Sequence, residues 1–262
     1  MSTIRTIDPT ARRVPPMGGF NTTMLSIELR RMLRNRRTVI FALIFPAAMF
    51  FVFGSGSQGD EKVGQGNVSA YVMVSMALYG GALIAASTGA GVALERALGW
   101  SRQLRLTPLN PAVYIMVKAF VALVMGALAI IVVNGIGAVQ GKPQMPFMTW
   151  IWCGLLTLVC VMTFAALGVF VGYIVPGENA MQILGPGLAL LSFLGGLFIP
   201  LSQYSPMIRD IAYWTPMYGV AEVARAPLTH ELPWYAVVNA VAWLGLFVAG
   251  AAWRMSKDTA RV

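Results

Sequence analysis

Long apolar runs separated by short polar segments make up most of the chain. The runs cover residues 38–53, 68–93, 112–139, 150–175, 180–200 and 234–253. Because a helix needs about 20 mostly apolar residues to cross a bilayer, this pattern predicts an all-α integral membrane fold with six transmembrane helices. The first run is short and contains Pro46, so tilt or contacts with neighbouring helices must accommodate it.

Residues 21–37 alternate apolar side chains with glutamate and arginine. This pattern predicts a helix that lies in the cytoplasmic interface, and Asn21 or Thr22 can cap its start. A simple positive anchor for the first span explains the same arginines, and the two interpretations are compatible. Residues 1–20 are polar and contain three prolines, which predicts a disordered tail before a single transmembrane domain over residues 21–262.

Two segments in the second half of the chain interrupt the simple pattern. Gly185-Pro186-Gly187 falls inside the fifth run, where it indicates either a tolerated kink or a gate. Residues 201–233 are too apolar for a solvated loop, and Pro206 and Pro216 divide them. We expect two short re-entrant helices that enter the outer leaflet; one more full span is the alternative, which the prolines and Arg209-Asp210 disfavour.

Composition and charge support the membrane assignment. The chain is 57% hydrophobic and 11% charged, whereas soluble domains have about 25% charged residues. The net charge of +9 does not indicate nucleic acid binding, because the basic residues flank the apolar runs. With both termini in the cytoplasm, fifteen of the 19 Lys and Arg residues lie inside, as the positive-inside rule requires. Cys153 and Cys160 are interpreted as apolar packing residues.

The chain lacks the signatures of several kinds of chemistry. It has no G-x-x-x-x-G-K-[ST] phosphate-binding loop, and its single histidine excludes an HExxH site. The apolar runs contain almost no ionisable residues, which argues against an ion-driven carrier, and Lys118 is expected to extend to the inner interface. A transporter of this composition needs an energy source in another subunit.

A polar segment, Leu94 to Lys118, interrupts the apolar pattern between the second and third runs. Its first part has the spacing of a short basic amphipathic helix, which Pro108 and Pro111 end. Such a helix between two spans lies on the membrane surface, where a soluble partner can reach it. A cytoplasmic loop helix without a partner is the alternative.

The same segment resembles the E-R-E-x-G-x-L-x-x-L-x-x-T-P motif of type-2 ABC exporter permeases. A second resemblance to that family lies in residues 195–201 and 213–220, followed by Ala224-Arg225; Thr215 stands there in place of a frequent asparagine. The first resemblance implies a coupling helix between spans two and three that docks on an ATPase subunit. The implied coupling residues are Glu95, Arg96, Gly99, Arg102, Arg105, Thr107 and Pro108; the departures from the motif are Ala97 and Ser101.

The resemblance also implies a function. The chain is expected to be a multi-pass plasma-membrane permease that works with a second copy or a paralogue and with separate ABC ATPases. ATP and Mg²⁺ would be bound by those ATPases, with no cofactor in this chain. The cargo expected is a drug-like or lipid-like amphiphile.

Spans one, two and five would line the passage by the same resemblance. Candidate residues for cargo contact are Phe45, Phe50, Phe51, Phe53, Ser192, Phe193 and Phe198, for which ordinary packing is the alternative interpretation. A rival hypothesis for the whole chain is a polytopic membrane enzyme or sensor subunit that needs no ATPase.

Overall fold

Helices account for nearly all of the computed structural model. It describes residues 20–54, 56, 59–99, 110–177 and 179–259. The helices are α1 (Thr22–Arg34), α2 (Arg36–Gly54), α3 (Val68–Ala97), α4 (Pro111–Gln140), α5 (Phe147–Ile174), α6 (Asn179–Leu194), α7 (Pro206–Ala212), α8 (Pro216–Thr229) and α9 (Trp234–Thr259). A two-residue hairpin, β1 (Lys62–Val63) and β2 (Gly66–Asn67), precedes α3, and a 3-10 turn covers Leu201–Gln203.

Four helices in the described part of the chain are long and apolar enough to cross a membrane: α3, α4, α5 and α9. Helix α2 follows α1 after a break at Asn35, and the two axes differ by 61°. If this bent pair forms one span, the count rises to five. Helix α6 has 16 residues, about 24 Å, which is short of the roughly 30 Å hydrocarbon core. The predicted all-α membrane fold is confirmed, and the six-span topology stays a prediction.

Three helix ends differ from the predicted ends of the runs by four residues or more. One of them is α9, which continues to Thr259, beyond residue 253. The second span was expected to end at residue 93, but α3 continues to Ala97 because Glu95 finds buried partners that stabilise its last turn. The fifth span was expected to reach residue 200, but α6 ends at Leu194. Gly196 follows with φ +75, a left-handed conformation that terminates helices, and Pro200 cannot continue one. Helix α6 runs through Gly185-Pro186-Gly187 without a break.

Helix α3 is the centre of the bundle, and it contacts α2, α4, α5, α6 and α8. Its many Gly, Ala and Ser residues permit close approach, as is usual between membrane helices. The tightest contact is with α5: a Cβ added at Gly168 would lie 2.0 Å from the carbonyl oxygen of Ala86. On the other side of the same contact, Gly89 faces the backbone of Ala165.

The two helices expected between the fifth and sixth runs are present and begin at Pro206 and Pro216. Thr215 caps α8, since its hydroxyl accepts a hydrogen bond from the Tyr218 N–H, so threonine performs here the capping role that asparagine also performs well. Helix α8 is largely buried against α3, α5 and α9. It is therefore part of the bundle core.

Both described ends of the chain lie at the same end of the bundle. Glu28 of α1 pairs with Lys118 near the start of α4, and Lys118 lines a cavity together with Met255 near the end of α9. The hairpin lies at the opposite end, where Asn67 caps α3 and donates to the carbonyl oxygen of Lys142. This arrangement agrees with termini on one side of a membrane.

Candidate coupling site and translocation surface

A cluster of buried charges lies where the end of α3 meets the start of α4. Lys118 donates to Glu28 at 2.7 Å and also to Glu95, while Arg31 donates to Glu95 at 2.5 Å. The Tyr114 hydroxyl donates to the other oxygen of Glu95. We call these five residues the basal cluster; they join the consecutive helices α3 and α4 to α1, which lies more than 60 residues earlier in the chain than Glu95.

The basal cluster is balanced in charge, and all of its members except Arg31, whose side chain is 41% exposed, are closed to solvent. Glu28 is 7% exposed, and Glu95 and Lys118 are each 3% exposed. Two carboxylates face one ammonium and one guanidinium, and this pairing offsets the large cost of removing charges from water. The prediction that Lys118 extends to the inner interface is wrong, because two carboxylates hold its ammonium inside the helix junction.

Arg96, the neighbour of Glu95, makes a separate connection. Its guanidinium donates to the carbonyl oxygens of Gly172 and Tyr173 at the end of α5 and lies 5.1 Å from the Tyr173 ring centroid. A cation beside the last carbonyls of a helix is favourable because these oxygens lack partners within the helix. The last turn of α3 is thus anchored to α1 and α4 through Glu95 and to α5 through Arg96.

The rest of the predicted coupling helix can be located only in part. Gly99 has φ +75 and ends the described stretch after α3, which turns the chain away from the helix axis. Arg102, Arg105, Thr107 and Pro108 lie outside the described residues. The two predicted coupling residues whose contacts are described, Glu95 and Arg96, both bind other helices of this chain.

A row of aromatic rings crosses the surface formed by α2, α3 and α6. Ring centroids are separated by 5.2 Å from Phe41 to Phe45, 5.8 Å from Phe45 to Tyr79, 5.0 Å from Tyr79 to Phe198 and 4.7 Å from Phe198 to Phe193. These separations are typical of interacting aromatic pairs. The aromatic row therefore connects the first half of α2 with the turn after α6.

A cavity of about 290 Å³ opens beside the first ring of the aromatic row, between α2, α3 and α6. Hydroxyls of Thr38 and Ser87 lie among apolar side chains there, and Gly185, from the Gly-Pro-Gly segment of α6, forms part of the wall. The other lining residues are Phe41, Leu83 and Met181. A cavity with a few polar groups in an apolar wall suits an amphiphilic molecule.

The predicted cargo-contact residues are not all in comparable positions. Phe193 and Phe198 belong to the aromatic row, and Phe193 is 48% exposed. Phe50 and Ser192 are fully buried, and the Ser192 hydroxyl donates to the Leu188 carbonyl of its own helix. Phe53 is half exposed near the end of α2. Phe50 and Ser192 therefore serve packing in this conformation.

A second buried charge lies at the far end of the bundle. Arg225 of α8 is 1% exposed and donates to Glu222 at 2.9 Å and to the Tyr71 hydroxyl of α3. It also donates to the carbonyl oxygen of Gly196 at 3.2 Å. The Arg225 side chain thus connects α8 both to α3 and to the turn that carries Phe198.

Sequence reasoning missed several of these residues. Glu28 is the one acidic residue in α1, and an acidic residue among arginines on a helix face indicates a charge partner elsewhere. Tyr114 and Lys118 are four residues apart and therefore share a helix face. No sequence pattern showed that these side chains would meet, because the contacts join residues 19 to 90 positions apart on three different helices.

Comparison with known proteins places the chain in a recognised group. The model of the family described as "ABC-2 type transporter" matches residues 21–228. The chain is also similar to a protein of Bacillus subtilis (strain 168) named "Putative transport permease YvfS". The two are 28% identical over 225 residues, which cover 84% of this chain and 91% of YvfS.

Proposed function

The chain belongs to the ABC-2 type transporter family, and we propose that it is the permease of an ATP-driven exporter powered by a separate ATPase subunit. It is a multi-pass membrane protein of a transport family, and no catalytic role is proposed for it. ATP and Mg²⁺ would be bound in the ATPase, and both termini of the permease would lie in the cytoplasm. The observation that carries the proposal is the basal cluster, in which the end of α3 and the start of α4 meet α1.

The basal cluster supports coupling for a mechanical reason. Segment 98–110 is short, and it connects α3 to α4. The last turn of α3 and the first two turns of α4 meet in the cluster. A force applied to the segment by a partner would therefore act on α1, α3 and α4 together. Buried charged networks have few alternative arrangements of low energy, so such a junction moves as a unit.

The cavity between α2, α3 and α6 supports the choice of cargo. Its two hydroxyls and apolar wall fit a drug-like or lipid-like amphiphile, and the aromatic row leads from it toward the opposite end of the bundle. Large apolar side chains on α2 and α6 are exposed next to it, among them Ile40, Ile44 and Leu190. A second permease copy or a paralogue facing this surface would enclose the passage.

The experiment uses the chain purified with the ABC ATPase encoded nearest to its gene and reconstituted in lipid vesicles. We expect a stable complex whose ATP hydrolysis changes when the permease is present. The variant Arg102→Glu with Arg105→Glu is expected to insert normally but to reduce transport-linked hydrolysis at least about tenfold, because it reverses two charges on the docking segment.

Lys62→Glu is the matched control, since it reverses an exposed charge in the hairpin at the other end of the bundle. It should hydrolyse ATP like the native complex. Native coupling in the double variant would contradict the coupling assignment. Failure of any ATPase to bind under mild extraction would favour the rival enzyme or sensor hypothesis.

A further inference from the structure

A second cavity, of about 300 Å³, lies away from the proposed passage, between α4, α5 and α9. Its wall is made of small and apolar side chains, which leave a smooth slot that no described side chain fills. Representative lining residues are Ala119 on α4, Ala166 and Val169 on α5, and Val248 and Ala252 on α9. Val248 is half exposed, so the slot is open toward the surrounding membrane.

The length of the slot matches one leaflet of a bilayer. On α5 its lining runs from Met162 to Tyr173, and on α9 it runs from Leu244 to Met255. Eleven residues of α-helix rise about 16 Å, which is close to half of the roughly 30 Å hydrocarbon core. The slot therefore begins at the end of the bundle that holds Lys118 and reaches approximately the middle of the membrane.

Basic and interfacial residues occupy the last turns of α9, at the level where the slot ends. Lys257 Nζ lies 3.8 Å from the ring centroid of Trp253, and the Arg254 guanidinium carbon lies 5.5 Å from it. Tryptophan with adjacent Lys and Arg is typical of the headgroup level of a membrane. Met255, in the same turn of α9, lines the slot, as does Tyr173, whose ring lies beside the Arg96 guanidinium.

One kind of molecule fits the apolar wall of the slot, its length and the basic residues at its level. We propose that the slot holds one acyl chain of an anionic phospholipid from the cytoplasmic leaflet, with its headgroup at the level of Arg254 and Lys257. The inner leaflet is the anionic one, and each nearby basic residue adds to the attraction. The assignment of the leaflet rests on the proposed function, which places the termini in the cytoplasm. This lipid is a resident component and lies outside the proposed cargo passage.

The test uses the full chain alone, in phosphatidylcholine vesicles that contain a minority of phosphatidylglycerol with a photoactivatable acyl chain. After irradiation, labelled peptides are identified by mass spectrometry. We expect label on the lining segments of α4, α5 and α9. Photoactivatable phosphatidylcholine at the same level should label these segments less.

Two variants test occupancy. Ala252→Phe and, independently, Ala166→Phe place a ring in the slot. Each should reduce the labelling of the slot about tenfold, because the ring displaces at least two methylene groups of the acyl chain. Ala242→Phe is the matched control. Ala242 is an exposed alanine of α9 that does not line the slot, and its variant should label like the native chain.

A third variant tests the headgroup. Arg254→Gln with Lys257→Gln should lower the preference for phosphatidylglycerol over phosphatidylcholine about fivefold or more. Lys62→Gln, at the far end of the bundle, should leave the preference unchanged.

Several results would overturn the proposal: label mainly outside the slot in the native chain, equal labelling in the filled and control variants, or no preference for the anionic lipid. The assay contains no ATPase, nucleotide or cargo. Slot labelling without ATPase coupling would therefore reject the proposed function alone, and coupling without slot labelling would reject this inference alone.

Discussion

Lys118 shows how a single side chain joins three helices. Its ammonium lies between Glu28 of α1 and Glu95 of α3, and all three side chains are buried. A lysine in this position has no route to water, so its charge is satisfied within the protein. The two carboxylates depend on it in turn, because Arg31 is the one other cation in the basal cluster.

We predict that Lys118→Met lowers the free energy of unfolding by about 3–5 kcal/mol, because it leaves a carboxylate buried without its partner. The measurement is thermal unfolding of the purified chain in detergent, where the midpoint temperature should fall. Adding Glu28→Gln should recover much of the loss, because the remaining Glu95–Arg31 pair is neutral. An unchanged midpoint in Lys118→Met would contradict the cluster, and Lys62→Met serves as an exposed lysine control.

Arg225 supports the opposite end of the bundle in a comparable way. We predict that Arg225→Gln destabilises the chain by a few kcal/mol, because Glu222 and the Gly196 carbonyl lose a charged donor. Arg225→Lys should restore little, since an ammonium cannot reach the separate acceptors that the planar guanidinium reaches. Protease protection of residues 195–230 is the measurement. Equal protection in native protein and in Arg225→Gln would show that the contacts of Arg225 do not stabilise this part of the chain.

Among the elements, the pair α3–α5 has the closest backbone contact described here. Gly168 lies against the Ala86 carbonyl, and Gly89 lies against Ala165 and Val169. We predict that Gly168→Val prevents accumulation of folded protein in the membrane. The valine side chain would overlap the backbone of α3, and backbone atoms, unlike a flexible side chain, cannot turn aside. Quantification of membrane-inserted, monodisperse protein is the measurement.

Gly154→Val provides the matched control on the same helix. A Cβ at Gly154 meets no atom within 4 Å, so this variant should accumulate like the native chain. If both valine variants accumulated equally, the α3–α5 contact would be looser than the structure has it.

At the scale of the whole molecule, the position of the two chain ends can be tested directly. Cys153 and Cys160 are buried, so the native chain should not react with a membrane-impermeant thiol reagent. In intact cells we expect Asp60→Cys, in the hairpin region, to react, and Ser256→Cys, near the end of α9, to react only after lysis. The opposite pattern would reverse the proposed orientation.

The coarse architecture followed from sequence because its cause is local. Apolar runs near twenty residues predict membrane helices, and the α-helical class, the capping by Asn21 and the helix starts at Pro206 and Pro216 agree with the structure. The family resemblance also rested on contiguous residues, and the family match confirms it. The predicted ends of α3 and α6 were less accurate. Glu95 extends α3 through contacts with other helices, and Gly196 follows the end of α6 with a left-handed backbone conformation that the sequence pattern does not show.

By itself, the sequence determined the helical class, the approximate runs, the basic asymmetry and the family. The tertiary structure alone decided that Glu28, Glu95 and Lys118 form one buried cluster, that five aromatic rings form a row, and that small residues on three helices leave a leaflet-long slot. The physical reason is the range of the interactions. Hydropathy and capping act within a few residues, whereas ion pairs, ring contacts and cavities depend on how distant helices pack together.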